Sequence, residues 1–220
     1  MTRRTEYLPA DLHAYVAAHS MPPGDVLDEL AGETARLYPE EAGLQIGPEQ
    51  GAFMTLLARA VGARDALEIG TFTGYSAICL ASGLAPGGRL TCCDVSEEWT
   101  AVARRYWARA GVADRIDLRL APALDTLRAL PVEPAYDLVF IDAEKTEYPA
   151  YWAEVVPRVR PGGVILADNT LSHGRVIDPS QTAPRVEAIR NFNDTAVIDP
   201  RVQTVLLPIG DGLTFSRRLP

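Results

Sequence analysis

A doubly wound α/β fold, in which helices cover both faces of a parallel sheet, is what this 220-residue sequence predicts, and three observations carry that expectation. From about residue 64 onward, short apolar runs alternate with longer segments of helical periodicity, the signature of repeated strand–helix–strand units. The predicted strands end in glycine-rich or acidic residues, at the edge where open parallel sheets bind their ligands. Residues 201–218, "RVQTVLLPIGDGLTFSRR", place two β-rich runs around the turn signal "GDG" and predict a terminal antiparallel hairpin.

Residues 8–62 carry helical patterns that Pro and Gly interrupt at "MPPGD" and "GLQIGPEQ", which predicts two or three helices able to cover a site. The core then opens with the strand "DALEIG" and the helix "YSAICLASGL". "RLTCCDV" follows as the second strand, and its neighbouring cysteines, Cys92 and Cys93, point to opposite faces and read as core filler. Ser96 is placed to cap the helix "EEWTAVARRYWARAG", and the charges of Glu97 and Glu98 favour its N-terminus. The remaining pairs are "RIDLRL" with "ALDTLRAL", and "YDLVFID" with "EYPAYWAEVVPRV"; Gly162 and Gly163 then punctuate the way into the fifth strand, "GVILADN". Trp107 and Trp152 fall at helical spacing with other apolar residues and read as packing or interface residues.

Composition narrows the function classes. With 47% apolar residues the chain can fill a core without disulfides, and it is expected to form a single domain, residues 1–62 as a helical cap and 63–220 as the core. A net charge of −8, with no basic run longer than an arginine pair, disfavours nucleic acid or an anionic membrane as partner. Cys79, Cys92 and Cys93 show no metal-ligand spacing, which suits a reduced, cytoplasmic protein. The expectation is a protein neither secreted nor membrane-spanning, because no leader-like apolar segment and no apolar run of about 18 residues is visible.

The chemistry concentrates at the strand ends. "EIGTFTGYS" contributes Glu68, Gly70, Thr71, Gly74, Tyr75 and Ser76, a loop that lets a ligand approach the backbone closely. Phe72 stands where a dinucleotide fingerprint needs its second glycine, so a nicotinamide enzyme is disfavoured, and no GxxxxGK[ST] motif is present. Asp94, 24 residues beyond Gly70, ends the second strand and is suited to two ribose hydroxyls, which implies a nucleoside-containing cofactor. Asp142, Asp168 and Asn169 end the fourth and fifth strands. Two carboxylates and an amide are hard oxygen donors, suited to Mg²⁺, Mn²⁺ or Ca²⁺ rather than zinc. Close by stands Lys145, the only lysine beside twenty arginines. An ammonium can surrender a proton that a guanidinium keeps, so Lys145 is the candidate base. His173 is a candidate substrate contact, whereas His13 and His19 read as surface residues.

The stretches "ALEIGTFTGYSAICLA", "VFIDAEKTEYPAYW", "VRPGGVILADNTL" and "LPIGDGLTFSRR" together resemble the cation-dependent O-methyltransferases related to caffeoyl-CoA and catechol O-methyltransferase, over roughly residues 44–218. The resemblance implies a Rossmann-like class I methyltransferase fold of seven strands, the last antiparallel, binding S-adenosylmethionine and a divalent cation and acting as a homodimer on a small phenolic or catechol acceptor. By the same resemblance, Glu68, Gly70, Thr71, Tyr75 and Ser76 would surround the methionine part, Asp94 and Val95 the ribose, and Ala121 and Pro122 the adenine. Ile46 and Gly51 would close over the cofactor, Asp142, Asp168 and Asn169 would hold the metal, and Lys145 with Asp142 would be catalytic. Glu144 replaces the family's usual Asp, and His173 its bulky aromatic residue. Two alternatives remain at this stage: methylation of a hydroxylated tRNA base, which the lack of a basic stripe disfavours, and a non-catalytic S-adenosylmethionine-binding module.

Overall fold

The computed structural model describes residues 7–220. Seven strands, β1 (Asp65–Ile69), β2 (Arg89–Asp94), β3 (Ile116–Leu120), β4 (Tyr136–Ile141), β5 (Val159–Asp168), β6 (Val202–Leu207) and β7 (Leu213–Arg218), form one sheet. Their order is β3-β2-β1-β4-β5-β7-β6. The first five are parallel, β7 runs antiparallel to β5, and β6 completes the predicted hairpin as the edge strand. Because the chain steps outward from β1 through β2 to β3 and then returns to the other side of β1 for β4, the switch point lies between β1 and β4. Their carboxyl ends therefore flank the crevice where such sheets bind ligands.

Strand alternation divides the core in two. Ala66, Leu90, Cys92, Leu138, Phe140 and Leu166 face one apolar layer, and Leu67, Ile69, Cys93, Val139, Ile141 and Ala167 face the other. The first layer is covered by α3 (Pro48–Ala60), α4 (Tyr75–Gly83) and α5 (Glu97–Arg109), the second by α6 (Ala123–Ala129), α7 (Tyr148–Val155) and α8 (Pro184–Ile198). Ser96 caps α5 as predicted, its hydroxyl accepting from the Trp99 N–H at 3.2 Å. Trp107 and Trp152 are both buried, and their indole N–H groups donate to the Gly74 carbonyl and to Asp199 Oδ2; they are packing residues.

Three local features differ from the sequence reading. Gly162 and Gly163 lie inside β5 rather than ahead of it: the register shifts between the pairs Tyr136–Val159 and Leu138–Val164, and Gly162 supplies the positive φ of 84° that this bulge uses. Gly51 serves helix packing, since a Cβ there would come within 2.8 Å of Cys79 Sγ on α4. His13, on α1 (Ala10–Ala18), is largely covered, with Nε2 3.3 Å from Glu49 Oε1 of α3. The contact ties an otherwise shallow helix, none of whose residues is fully buried, to the core. A further helix, α2 (Asp25–Leu37), joins the first layer through Leu30. No helix among the described residues is long and apolar enough to cross a membrane.

At the switch point two chain segments approach closely. Gly70 adopts a φ of +89°, and a Cβ there would lie 2.0 Å from the Asp142 carbonyl oxygen. Both the left-handed backbone and the contact exclude any side chain. Gly70→Ala is expected to lower folding stability by ~3 kcal/mol through combined strain and overlap, read as a shifted urea midpoint at unchanged m-value. A variant as stable as the parent would show that the two chain segments can separate freely.

Candidate active site

A cavity of about 460 Å³ opens at the carboxyl ends of β1, β2, β3 and β4. One wall is the turn from β1 into α4, where Gly70, Thr71, Tyr75 and Ser76 line the space. The Asp94 carboxylate holds this turn in place: Oδ2 accepts the N–H groups of Thr71 and Phe72 at 2.9 and 2.8 Å, and Oδ1 accepts that of Ser96 at 2.8 Å. A carboxylate offers about four acceptor positions, so Asp94 braces the loop and still presents an oxygen edge to the cavity, which it also lines. Val95, Ala121 and Pro122 continue the wall past β2 and β3, and Ile46 closes it from the segment before α3.

Glu68 lies beneath this wall, fully buried and outside the cavity lining. Oε2 accepts from the Thr71 hydroxyl at 3.0 Å and from Cys92 Sγ at 3.3 Å, so Cys92 does more than fill the core. Oε1 is buried with no hydrogen-bond partner among the described residues. Burial pushes the Glu68 carboxyl up to about 7, against the opposing effect of the nearby Ser76 hydroxyl and of the hydrogen bonds from Cys92 and Thr71. Cys93 reaches the cavity, but burial raises its thiol to about 12, so it stays protonated and unreactive at neutral pH.

The opposite wall is polar. Asp142, Glu144, Lys145, Glu147, Tyr151, Asn169 and Arg185 all line it. Lys145 Nζ donates to Asp142 Oδ1 at 2.6 Å and to the Tyr148 hydroxyl at 2.8 Å. Tyr148 is fully buried, and its hydroxyl lies 3.0 Å from the Asp168 carbonyl and 3.2 Å from that of Ile141. It thereby fixes the lysine against the ends of β4 and β5. Sequence reading missed Tyr148, although its position three residues after Lys145 is the spacing that brings side chains onto one face of a tight helical turn. Tyr151 is joined by hydrogen bond to Glu147, and burial followed by that bond raises its phenol.

Asn169 adopts a left-handed φ of 62°, uncommon for a residue other than glycine, and faces the cavity. Its N–H donates to Asp168 Oδ1 at 2.8 Å. Asp168 itself is fully buried and outside the cavity lining. Among the described residues no three His, Cys, Asp or Glu side chains converge as a metal cluster. Asp142 and Asn169 line the cavity while Asp168 lies behind it, and the side chains of the three offer oxygen donors, the ligand type that hard divalent cations take. His173 does not line the cavity; its N–H donates to Asp211 Oδ1 at 2.6 Å, and its ring Nε2 lies 3.7 Å from Asp211 Oδ2. His19 is a surface residue stacked on Tyr15.

Comparison with known proteins adds to this geometry. A family model described as O-methyltransferase matches residues 17–219. "Probable caffeoyl-CoA O-methyltransferase 2" of Dictyostelium discoideum is 43% identical over 175 residues, 78% of this chain and 76% of that protein. "Catechol O-methyltransferase" of Niastella koreensis is 37% identical over 186 residues, covering 80% and 84% of the two chains. Among solved structures, the O-methyltransferase from Bacillus cereus in complex with SAH superposes with a TM-score of 0.86 at 36% identity, covering 94% of this chain and 97% of that one.

The raised Glu68 carboxyl has a pH consequence. In the unfolded chain it releases its proton near 4.5, in the folded chain near 7, so between these values the folded state binds more protons and stability falls as pH rises. The contribution is complete below 4.5 and is lost as pH passes through 7. Glu68→Gln, which cannot ionise, is expected to flatten this limb of a Tm-against-pH profile; an unchanged slope would contradict the assignment.

Proposed function

Since this chain belongs to the O-methyltransferase family, we propose that it moves the methyl group of S-adenosylmethionine to a hydroxyl of a small catechol-like acceptor, with a divalent cation bound. The observation that carries this reading is the setting of Lys145: the only lysine of the chain, it is largely covered on the cavity wall and joined to Asp142 and Tyr148. The Bacillus cereus relative was solved with SAH, the demethylated product of that donor, and the names of the curated relatives supply the acceptor class.

On the cofactor side, the residues available are Ile46, Gly70, Thr71, Tyr75, Ser76, Asp94, Val95 and Ala121. Glu68 fits the same role from beneath, because its partnerless buried Oε1 suits a hydrogen-bond donor or cationic group. Asp142, Asp168 and Asn169 would hold the cation, and their all-oxygen donor set suits one. When bound, the donor supplies an electrophilic methyl on a sulfonium, and the cation supplies positive charge that favours an ionised hydroxyl.

The remaining chemistry belongs to side chains. Lys145 Nζ, in its neutral amine form, would take the proton of the acceptor hydroxyl, a step closed to arginine, whose guanidinium is always protonated. Tyr148 and Asp142 keep that nitrogen in one place. The freed oxygen's electron pair would then attack the methyl carbon as the carbon–sulfur bond breaks and S-adenosylhomocysteine leaves, and holding both reactants in one cavity supplies much of the acceleration through proximity and fixed charge. A non-catalytic binder would have no use for a lysine held in this way.

Transfer of labelled methyl to a panel of catechols is expected with Mg²⁺ and not with EDTA; transfer unaffected by the chelator would remove the cation from the proposal. Lys145→Arg keeps the charge and is expected to lower kcat by roughly 100-fold or more, so near-parental turnover would refute the base. Asp168→Asn, close to isosteric, is expected to weaken Mn²⁺ binding in calorimetry while S-adenosylhomocysteine binding persists. Equal Mn²⁺ affinity in both proteins would place the cation elsewhere.

A further inference from the structure

Gln50 stands in the first turn of α3, fully buried, and neither its Oε1 nor its Nε2 has a hydrogen-bond partner among the described residues. Other buried side chains there leave one such atom partnerless; Gln50 leaves two. Asn193 on α8 shows the contrast, since its Nδ2 donates to the Thr170 carbonyl at 2.8 Å and ties the helix to the loop after β5. A buried amide that makes no bond at all costs stability, and it points to a partner that the fold by itself does not supply.

The neighbourhood of this amide is the end of β5. Asp168 pairs with Leu213 across β5 and β7, and strand alternation turns it, like Leu166, toward the layer that α3 covers. Gly210, in the hairpin turn with a φ of +58°, borders both groups: a Cβ there would lie 2.6 Å from Gln50 Oε1 and 3.8 Å from Asp168 Oδ1. The missing side chain leaves the room that the amide fills. Amide and carboxylate are thus neighbours behind the wall that Asp142 and Asn169 line.

We propose that Gln50 is a positioning residue for Asp168: with the cation bound, its amide N–H donates to the Asp168 carboxylate and fixes the rotation of that group, one oxygen turned toward Asp142 and Asn169. The inference rests on the reading of those three residues as the cation's holders and adds the residue that orients one of them. An amide carries a donor and an acceptor on the same carbon, so a half-turn about its last bond brings either to the carboxylate. A partner of this kind fixes a ligating side chain and raises its affinity for the metal. An apolar side chain would pack α3 without the penalty of an unpaired amide, so the amide serves the cation-bound protein at the expense of the cation-free one.

The experiment titrates Mn²⁺ and, separately, S-adenosylhomocysteine into the parent protein, Gln50→Met and Gln50→Leu by calorimetry, and measures Tm with neither present. Both variants are expected to bind Mn²⁺ roughly tenfold or more weakly and S-adenosylhomocysteine as the parent does. Their Tm without ligand is expected to equal or exceed that of the parent, because the unpaired amide is gone. A side chain with a merely structural role would not separate these readouts. Mn²⁺ affinity unchanged in both variants would overturn the proposal. So would a Tm lowered in both, which would make the amide a brace of the fold in its own right. Failure of the underlying reading looks different: no Mn²⁺ binding by the parent, or equal binding by Asp168→Asn, would remove the cation from Asp168 and this inference with it.

Discussion

The close passage of Gly70 beneath the Asp142 carbonyl is the constraint from which the site is built. Because no Cβ intervenes, the turn leaving β1 can lie directly against the end of β4, and the backbone bonds from Gly70 N to the Cys93 carbonyl (2.9 Å) and from Asp142 N to the Ile69 carbonyl (2.8 Å) lock three strand ends together. Asp94 then gathers the N–H groups of Thr71, Phe72 and Ser96. The result is a rigid rim around the cavity. Preorganisation of that kind lets a few side chains act from fixed positions without reorganising at the moment of reaction.

A second support comes from the hairpin. Its "GDG" turn reads as ordinary turn chemistry, yet the loop after β5 hangs on it: Thr170 N donates to the Gly212 carbonyl and Leu171 N to that of Asp211, both at 3.0 Å. Asp211 is fully buried and also accepts from the His173 N–H and from the Tyr7 hydroxyl. These bonds fix the chain just beyond Asn169, whose left-handed conformation is one that asparagine tolerates better than most other residues with a side chain. The insertion of β7 beside β5 is therefore what gives the polar wall of the cavity its shape.

Burial of an ionisable group costs stability unless it is bonded. Glu68 and Asp168 are both fully buried at the edge of the cavity, where Glu68 Oε2 accepts from Thr71 and Cys92 and Asp168 Oδ1 accepts the Asn169 N–H. Arg158, buried away from the cavity, is held by Glu154 and the Leu130 carbonyl through its terminal nitrogens, while its Nε has no partner among the described residues. Each of these charges is thus anchored by bonds to neighbouring chain segments, and the bonds at Glu68 and Asp168 brace the strand ends around the cavity.

Much was legible in the sequence because strand–helix alternation and strand-end residues are local patterns: the five parallel strands, the hairpin, the Ser96 cap, and the candidates Asp94, Asp142, Lys145 and Asn169 all follow from residue type and spacing. The bulge at Gly162 and Gly163, the packing role of Gly51 and the covered position of His13 were not legible, since each depends on a partner far along the chain. Tyr148 and Arg185 escaped for the same reason. A tyrosine in an apolar run reads as core, and an arginine among twenty reads as surface. The sequence by itself determined which chemical groups the strand ends carry. Only the tertiary structure decided which of them share a cavity, because contact between residues far apart in the chain is set by packing against the sheet and not by periodicity along it.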